Sequence, residues 1–146
     1  VRRPELITEA SEKFGSQAVV VSIDVKLDDS DNYEVFVDHG RRATGMDPID
    51  WAKKAESLGA GEIFLNSIDR DGSLAGYDLR FVKMVTEAVN IPVIACGGAG
   101  KWQDFVDGIR IGGASAVSAA NIFHFTEQSI RHAKKYMAEA GIDVRL

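Results

Sequence analysis

Little in this chain supports cross-linking, metal binding or insertion into a bilayer. One residue of 146 is cysteine, Cys96, so no disulfide forms within the chain and nothing calls for an oxidising compartment. That cysteine and the three histidines (His39, His124 and His132) have none of the spacings that hold a metal, and no Ser-His-Asp or Cys-His arrangement stands out. No apolar run approaches the roughly 18 residues of a membrane span. The opening "VRRPELITEA" lacks the apolar core of a signal peptide. Positive charge is scarce as well: 17 Lys and Arg face 22 Asp and Glu, a net charge of −5. This argues against nucleic acid or an anionic membrane as a partner, since both need a basic field. The glycines fall into neither G-x-G-x-x-G nor G-x-x-x-x-G-K-[ST]. We therefore expect a cytoplasmic chain with no cofactor and no metal, whose chemistry comes from carboxylates, amides and backbone.

What is present is an alternation of elements. The spacing of Leu6, Ile7, Ala10 and Phe14 predicts an amphipathic helix over Pro4–Phe14, stopped by Gly15. "AVVVSIDV" is too apolar and β-branched for anything but a buried strand. "YEVFV" and "DHGRRATGM" read as a hairpin excursion hung on its end. "DPIDWAKKAESLG" carries helix signals throughout, with Asp47 as cap, Pro48 at the first position and Gly59 as stop. Then come the strand "EIFLNSI", the helix "DLRFVKMVTEAV" capped by Asp78, the strand "PVIAC", the helix "KWQDFVDGIRIG" and the small-residue strand "ASAVSAA". A short turn in "NIFHF" and a last helix in "TEQSIRHAKKYMAEAG" end the chain.

A helix followed by four strand–helix units implies a parallel sheet with right-handed crossovers. No linker interrupts residues 1–146, so one α/β unit is expected. An open doubly wound sheet and part of a (βα)8 barrel both fit. The barrel is favoured because the unusual residues cluster where strands end: Asp24, Asn66 with Asp69 and Asp71, Gly97-Gly98, and Asn121. Strand parity also puts Val20, Ser22 and Asp24 on one face of their strand, and likewise Glu62, Phe64 and Asn66 on one face of theirs. A complete barrel has eight strands and about 250 residues. Four strands make half of one, leaving "AVVVSID" and "ASAVSAA" as open edges to be covered by a second copy or by a missing N-terminal half.

The candidate chemistry sits in the loops. Gly97-Gly98 between a strand and a helix allows close backbone approach, and exposed N–H groups there attract anions. Taken with the small residues up to Ala120 and Asn121, this predicts a phosphate site. Asp24, closing an apolar strand, is either a structural acid or an acid/base aimed into a pocket. In "SIDRDG" one carboxylate caps the turn and the other reaches a ligand hydroxyl; Asp71, beside Gly72, is the choice for the ligand and Asp69 for the turn. Glu62 starts its strand with the parity of Asn66, and either faces solvent or lies on a barrel floor that needs a basic partner. Cys96 reads as a buried small hydrophobe and His124 as a packed side chain.

"VVVSIDVK", "GRRATG", "GAGEIFLNSIDRDGSLAGYD", "IPVIACGGAGK", "AANIFHF" and "GIDVRL", in this order, resemble the C-terminal half of the cyclase subunit of imidazole glycerol phosphate synthase. The resemblance implies a (βα)8-barrel lyase of histidine biosynthesis. Such an enzyme takes ammonia from a glutaminase partner and acts on a bis-phosphorylated ribulosyl-formimino-aminoimidazole-carboxamide nucleotide. Its products are imidazole glycerol phosphate and the aminoimidazole carboxamide ribonucleotide. By position, Asp24 matches one of two catalytic aspartates and Asn66 a residue near the substrate. Asp71 and Gly72 match the loop on the glycerol-phosphate side, and Gly98, Ala120 and Asn121 the phosphate grip. Glu62 matches the charged ring where ammonia enters. Many relatives have Ser at the position of Asn121. The second aspartate and second phosphate site belong to the other half, so this chain alone is expected to bind phosphate with little or no turnover. A sibling isomerase, a paralogue that supplies amidino groups to surface sugars, and a non-catalytic self-associating half-barrel are the other readings.

Overall fold

The computed structural model describes residues 1–28, 30–124 and 129–145. Its elements in chain order are α1 (Glu5–Phe14), β1 (Val20–Leu27), β2 (Tyr33–Val37), β3 (Arg42–Ala43), α2 (Pro48–Ser57), β4 (Glu62–Ser67), α3 (Leu79–Thr86), β5 (Val93–Cys96), α4 (Trp102–Arg110), β6 (Ala116–Val117), α5 (Asn121–His124) and α6 (Ile130–Glu139). The single sheet has the order β3-β2-β1-β4-β5-β6. Strands β1, β4, β5 and β6 run parallel, in sequence order, while β2 and β3 form an antiparallel excursion.

Burial decides between the two arrangements the sequence leaves open. Along β4 it alternates strictly: Ile63, Leu65 and Ser67 are buried, whereas Glu62, Phe64 and Asn66 are not. Ile23, Val25, Val93 and Ala95 join the first set, packed with Trp51 and Ala55 of α2, Phe81 and Val85 of α3, and Phe105 and Val106 of α4. A doubly wound sheet would bury both faces. Here the second face stays open, and Val20 on it is 51% exposed. Four parallel strands with helices along one side have the architecture of half a (βα)8 barrel, whose interior side is the open face.

The end signals act as the sequence predicts at α2 and α3. Asp47 accepts from Ile49 N and Asp50 N, and Asp78 accepts from Phe81 N. Three expectations need correction. "ASAVSAA" shortens to the two residues of β6, and Ser118–Ala120 line the rim pocket instead. "AVVVSID" is not wholly unpaired: the hairpin pairs Asp24–Leu27 with Tyr33–Phe36, leaving only the lower half of β1 open. His124, expected to be buried in packing, is an exposed residue. Phe125 and the predicted first turn of the last helix lie outside the described residues, and the helix as described is capped by Ser129.

Asp78 also ties the hairpin down. Tyr33 Oη donates to its two carboxylate oxygens at 3.1 and 3.0 Å, the Tyr33 ring stacks on Phe81 at 4.5 Å, and Arg80 sits 5.8 Å above that ring while pairing with Asp31. Burial, then the hydrogen bond to Asp78, pushes the Tyr33 phenol up to about 12. A phenol whose ionisation is raised by folding stabilises the fold below the unfolded value of about 10 and loses that contribution as pH rises. Stability measured by urea unfolding should therefore fall between about pH 10 and 12, and Tyr33→Phe should flatten part of that fall. Asp78→Ala should cost about 1–2 kcal/mol at neutral pH through the lost cap.

Candidate functional site

Parallel strands all end on the same rim, and the register aligns their last residues. Asp24, Asn66 and Cys96 are direct neighbours across β1, β4 and β5. Period-two alternation puts all three on the open face. Asn66 Nδ2 donates to Asp24 Oδ1 at 3.0 Å. A carboxylate only accepts, so this bond fixes which way the amide points. It also leaves Asn66 Oδ1 buried without a partner. An orphaned buried acceptor costs about 1–3 kcal/mol, so the arrangement holds Asp24 at some expense. Burial raises the half-buried Cys96 thiol, with Asp71 and Asp24 adding to the shift. Cys96 is thus no buried core hydrophobe but part of the rim row, a further correction.

Beyond Cys96 the row opens into a small pocket of about 70 Å³ walled by three loops: Asp71, Gly72 and Leu74 after β4, Cys96–Ala99 after β5, and Ser118–Asn121 after β6. A water needs roughly 10–15 Å³ on this measure, so the space suits a group of a few heavy atoms. Among the described residues, nothing accepts from the backbone N–H of Gly98, Ala99 or Asn121. The N–H groups of Gly100 and Lys101 are not available, since Asp104 Oδ2 takes both at 2.9 and 3.0 Å. An anion here would meet backbone donors from the strand ends rather than the start of α4.

Glycine is required where these loops interlock. Gly98 has φ +103°, and a Cβ on it would stand 2.3 Å from Gly76 O; Gly76 N in turn donates to Gly98 O at 2.8 Å. A Cβ on Gly97, at φ +93°, would come 2.5 Å from Ser67 O. A methyl group on Gly72 would lie 3.2 Å from Asn121 Nδ2, so Gly72 lets that amide approach the loop after β4.

The two aspartates of "SIDRDG" part ways. Asp69 Oδ2 accepts from Leu27 N at 2.8 Å and pins the end of β1, a structural task. Asp71 lines the pocket. A carboxylate beside an anion site repels the anion but accepts from hydroxyls, so the lining suits a phosphorylated polyol better than bare phosphate. Glu62 sits at the opposite end of β4, beside Val20 in register, and among the described residues no cation lies within ion-pair distance. It is not brought together with the others.

Two contributors were not foreseen from the sequence. Leu74 reaches the pocket from a left-handed conformation at φ +58°, unusual for leucine. Tyr77 Oη donates to Ser118 O at 2.9 Å and ties the loop after β4 to the end of β6; burial raises this phenol far above its ordinary range. The only signal was an aromatic set between Gly76 and Asp78. Residues 1–129 match the family described as histidine biosynthesis protein. Gly98→Ala should lower stability by about 1–3 kcal/mol through backbone strain and the contact with Gly76 O. Gly45→Ala, with a similar positive φ but open space around it, should cost less in the same thermal-melt comparison.

Proposed function

We propose that this chain, which belongs to the histidine biosynthesis protein family, supplies the phosphosugar-gripping half of an imidazole glycerol phosphate synthase cyclase. The observation that carries the reading is the single row on one rim: the Asp24 carboxylate, held by Asn66, leads through Cys96 to a pocket with unused backbone N–H donors. A phosphate seated against Gly98, Ala99 and Asn121 would anchor one end of a substrate, with Asp71 accepting from its hydroxyls. Asn66 engages Asp24 Oδ1, which leaves Oδ2 to serve as the proton-exchanging oxygen.

In this role Asp24 acts as general acid/base on a substrate whose reacting centre lies along the rim from the anchored phosphate. Ring closure moves protons on two sides of that centre, so a second acid/base group has to come from whatever completes the ring. Ammonia from a glutaminase subunit would enter from the floor, where Glu62 stands at the other end of the open face. Anchoring one phosphate while the far end is held by another half is an entropic device: the reacting atoms are fixed before chemistry begins.

Two measurements test the proposal. Titration calorimetry with glycerol phosphate should show binding that Asp24→Asn leaves unchanged and Gly98→Ala weakens. Mixing the chain with the complementary half-barrel of a cyclase should give ammonia-dependent cyclisation. In that mixture Asp24→Asn should lower kcat by about 10²–10⁴-fold, the usual worth of a positioned acid/base. Turnover that survives Asp24→Asn removes the residue from its role. Absence of glycerol phosphate binding removes the pocket.

A further inference from the structure

We propose that α1 is a latch on ring closure: a second copy of this chain can complete the barrel only by displacing α1 from the edge of β1. The inference rests on the half-barrel reading above and goes beyond it by assigning α1 a regulatory part.

Surface area first indicates an occupant. The chain exposes 8476 Å². A monomer of 15.9 kDa is expected to expose about 7,350 Å², so about 1,100 Å² stands in excess. Covering that excess on two copies would bury about 2,200 Å² in total, enough for a stable dimer. Both open edges belong to parallel strands: the outer edge of β6, and Val20–Ile23 of β1 below the hairpin. A two-fold axis along the ring would set β6 of each copy beside β1 of the other, in the same direction, and close eight strands with two identical seams.

The helices do not fit that count. Five of them, α1, α2, α3, α4 and α6, flank four parallel strands. Two copies bring ten to a ring with eight outer places. The conflict falls at the seams. Ile7 and Ala10 of α1 border, with Val20 and Val21 of β1, a groove of about 510 Å³. A strand entering beside β1 comes in under α1, and its own following helix, α6 of the second copy, needs the place that α1 holds.

α1 is the helix that yields. It buries none of its residues, has no side-chain cap, and leaves Leu6 54% and Phe14 62% exposed. Its holds on the body include Thr8 Oγ1 donating to Leu58 O at 3.0 Å, the partly buried Ile7 and the packing of Ser11 against Gly59, with the exposed Arg2–Asp38 pair just ahead of the helix. α6, by contrast, buries Ala133 and Met137, is capped by Ser129, and is tied to α4 by Tyr136 Oη donating to Gln103 Oε1 at 2.9 Å. Gly15, at φ +87°, ends α1 and supplies the hinge. Each copy carries a net charge of −5, so closure also works against charge repulsion and should tighten as salt rises.

Sedimentation velocity on the full chain, across concentration and salt, reads the dimer. Hydrogen exchange on the same samples reads α1. We expect a dimer in which the α1 amides lose protection while those of β1 and β6 gain it. The double substitution Ile7→Ser with Thr8→Ala, and separately a Gly-Ser-Gly insertion after Gly15, should each lower the dimer dissociation constant at least tenfold; near-ultraviolet circular dichroism verifies that the variants fold. A dimer whose α1 amides stay protected, or variants whose dissociation constant does not move, overturns the latch and leaves ring closure standing. If the chain and both variants stay monomeric at every concentration and salt, ring closure by a second copy falls and the latch with it. Glycerol phosphate binding on the same samples reports the pocket separately.

Discussion

One constraint organises the molecule: its sheet is covered by helices on one face only. Residues along β4 alternate between a face sealed by α2, α3 and α4 and a face left open, and the neighbouring strands keep the same register. The sealed side carries the cohesion. Ile23, Ile63, Leu65 and Val93 are each 2% exposed or less, and a fully buried side chain of this kind contributes about 1.5–3 kcal/mol. The open side is thereby released from packing. That is why Asp24, Asn66 and Cys96 can stand in line with no cost beyond the orphaned Asn66 Oδ1.

The rim loops are rigid because each is tied to its neighbour. Asp69 reaches back to Leu27, Gly76 joins Gly98 through backbone, Tyr77 holds Ser118, and Asp78 holds Tyr33. Three of these ties join neighbouring strand–helix units, and Tyr77 reaches past β5 to the end of β6. Most use a backbone group on at least one side, so they depend on chain path more than on side-chain identity. The glycines are the exception, since their lack of a Cβ is what lets the loops after β4 and β5 touch.

How far the sequence could be read depends on the kind of interaction involved. Helix ends were legible because Asp47 and Asp78 act within three residues of themselves, and β4 was legible from its alternation. The candidate rim could be located because parallel strands end together, but turn chemistry misplaced Asp69: it was expected to cap its own turn and instead accepts from Leu27 N, 42 residues away on β1. The length of β6 was not legible, since small residues suit a strand and a rim loop equally well. Nor was the wet position of Cys96, which depends on whether the second face is covered. The left-handed Leu74 and the Tyr77–Ser118 tie are long-range, set by loops meeting in space, and leave no local pattern.

The hairpin of β2 and β3 has a bearing on assembly. It occupies the upper part of the β1 edge, pairing Asp24 with Phe36, and leaves the lower part bare. Pairing on this edge of β1 is free only up to Ile23, where the hairpin begins. For a strand that paired there, the excursion would be a doorstop: it would set the height at which the lodger settles, and a one-step slip upward would end in collision instead of a misaligned wall.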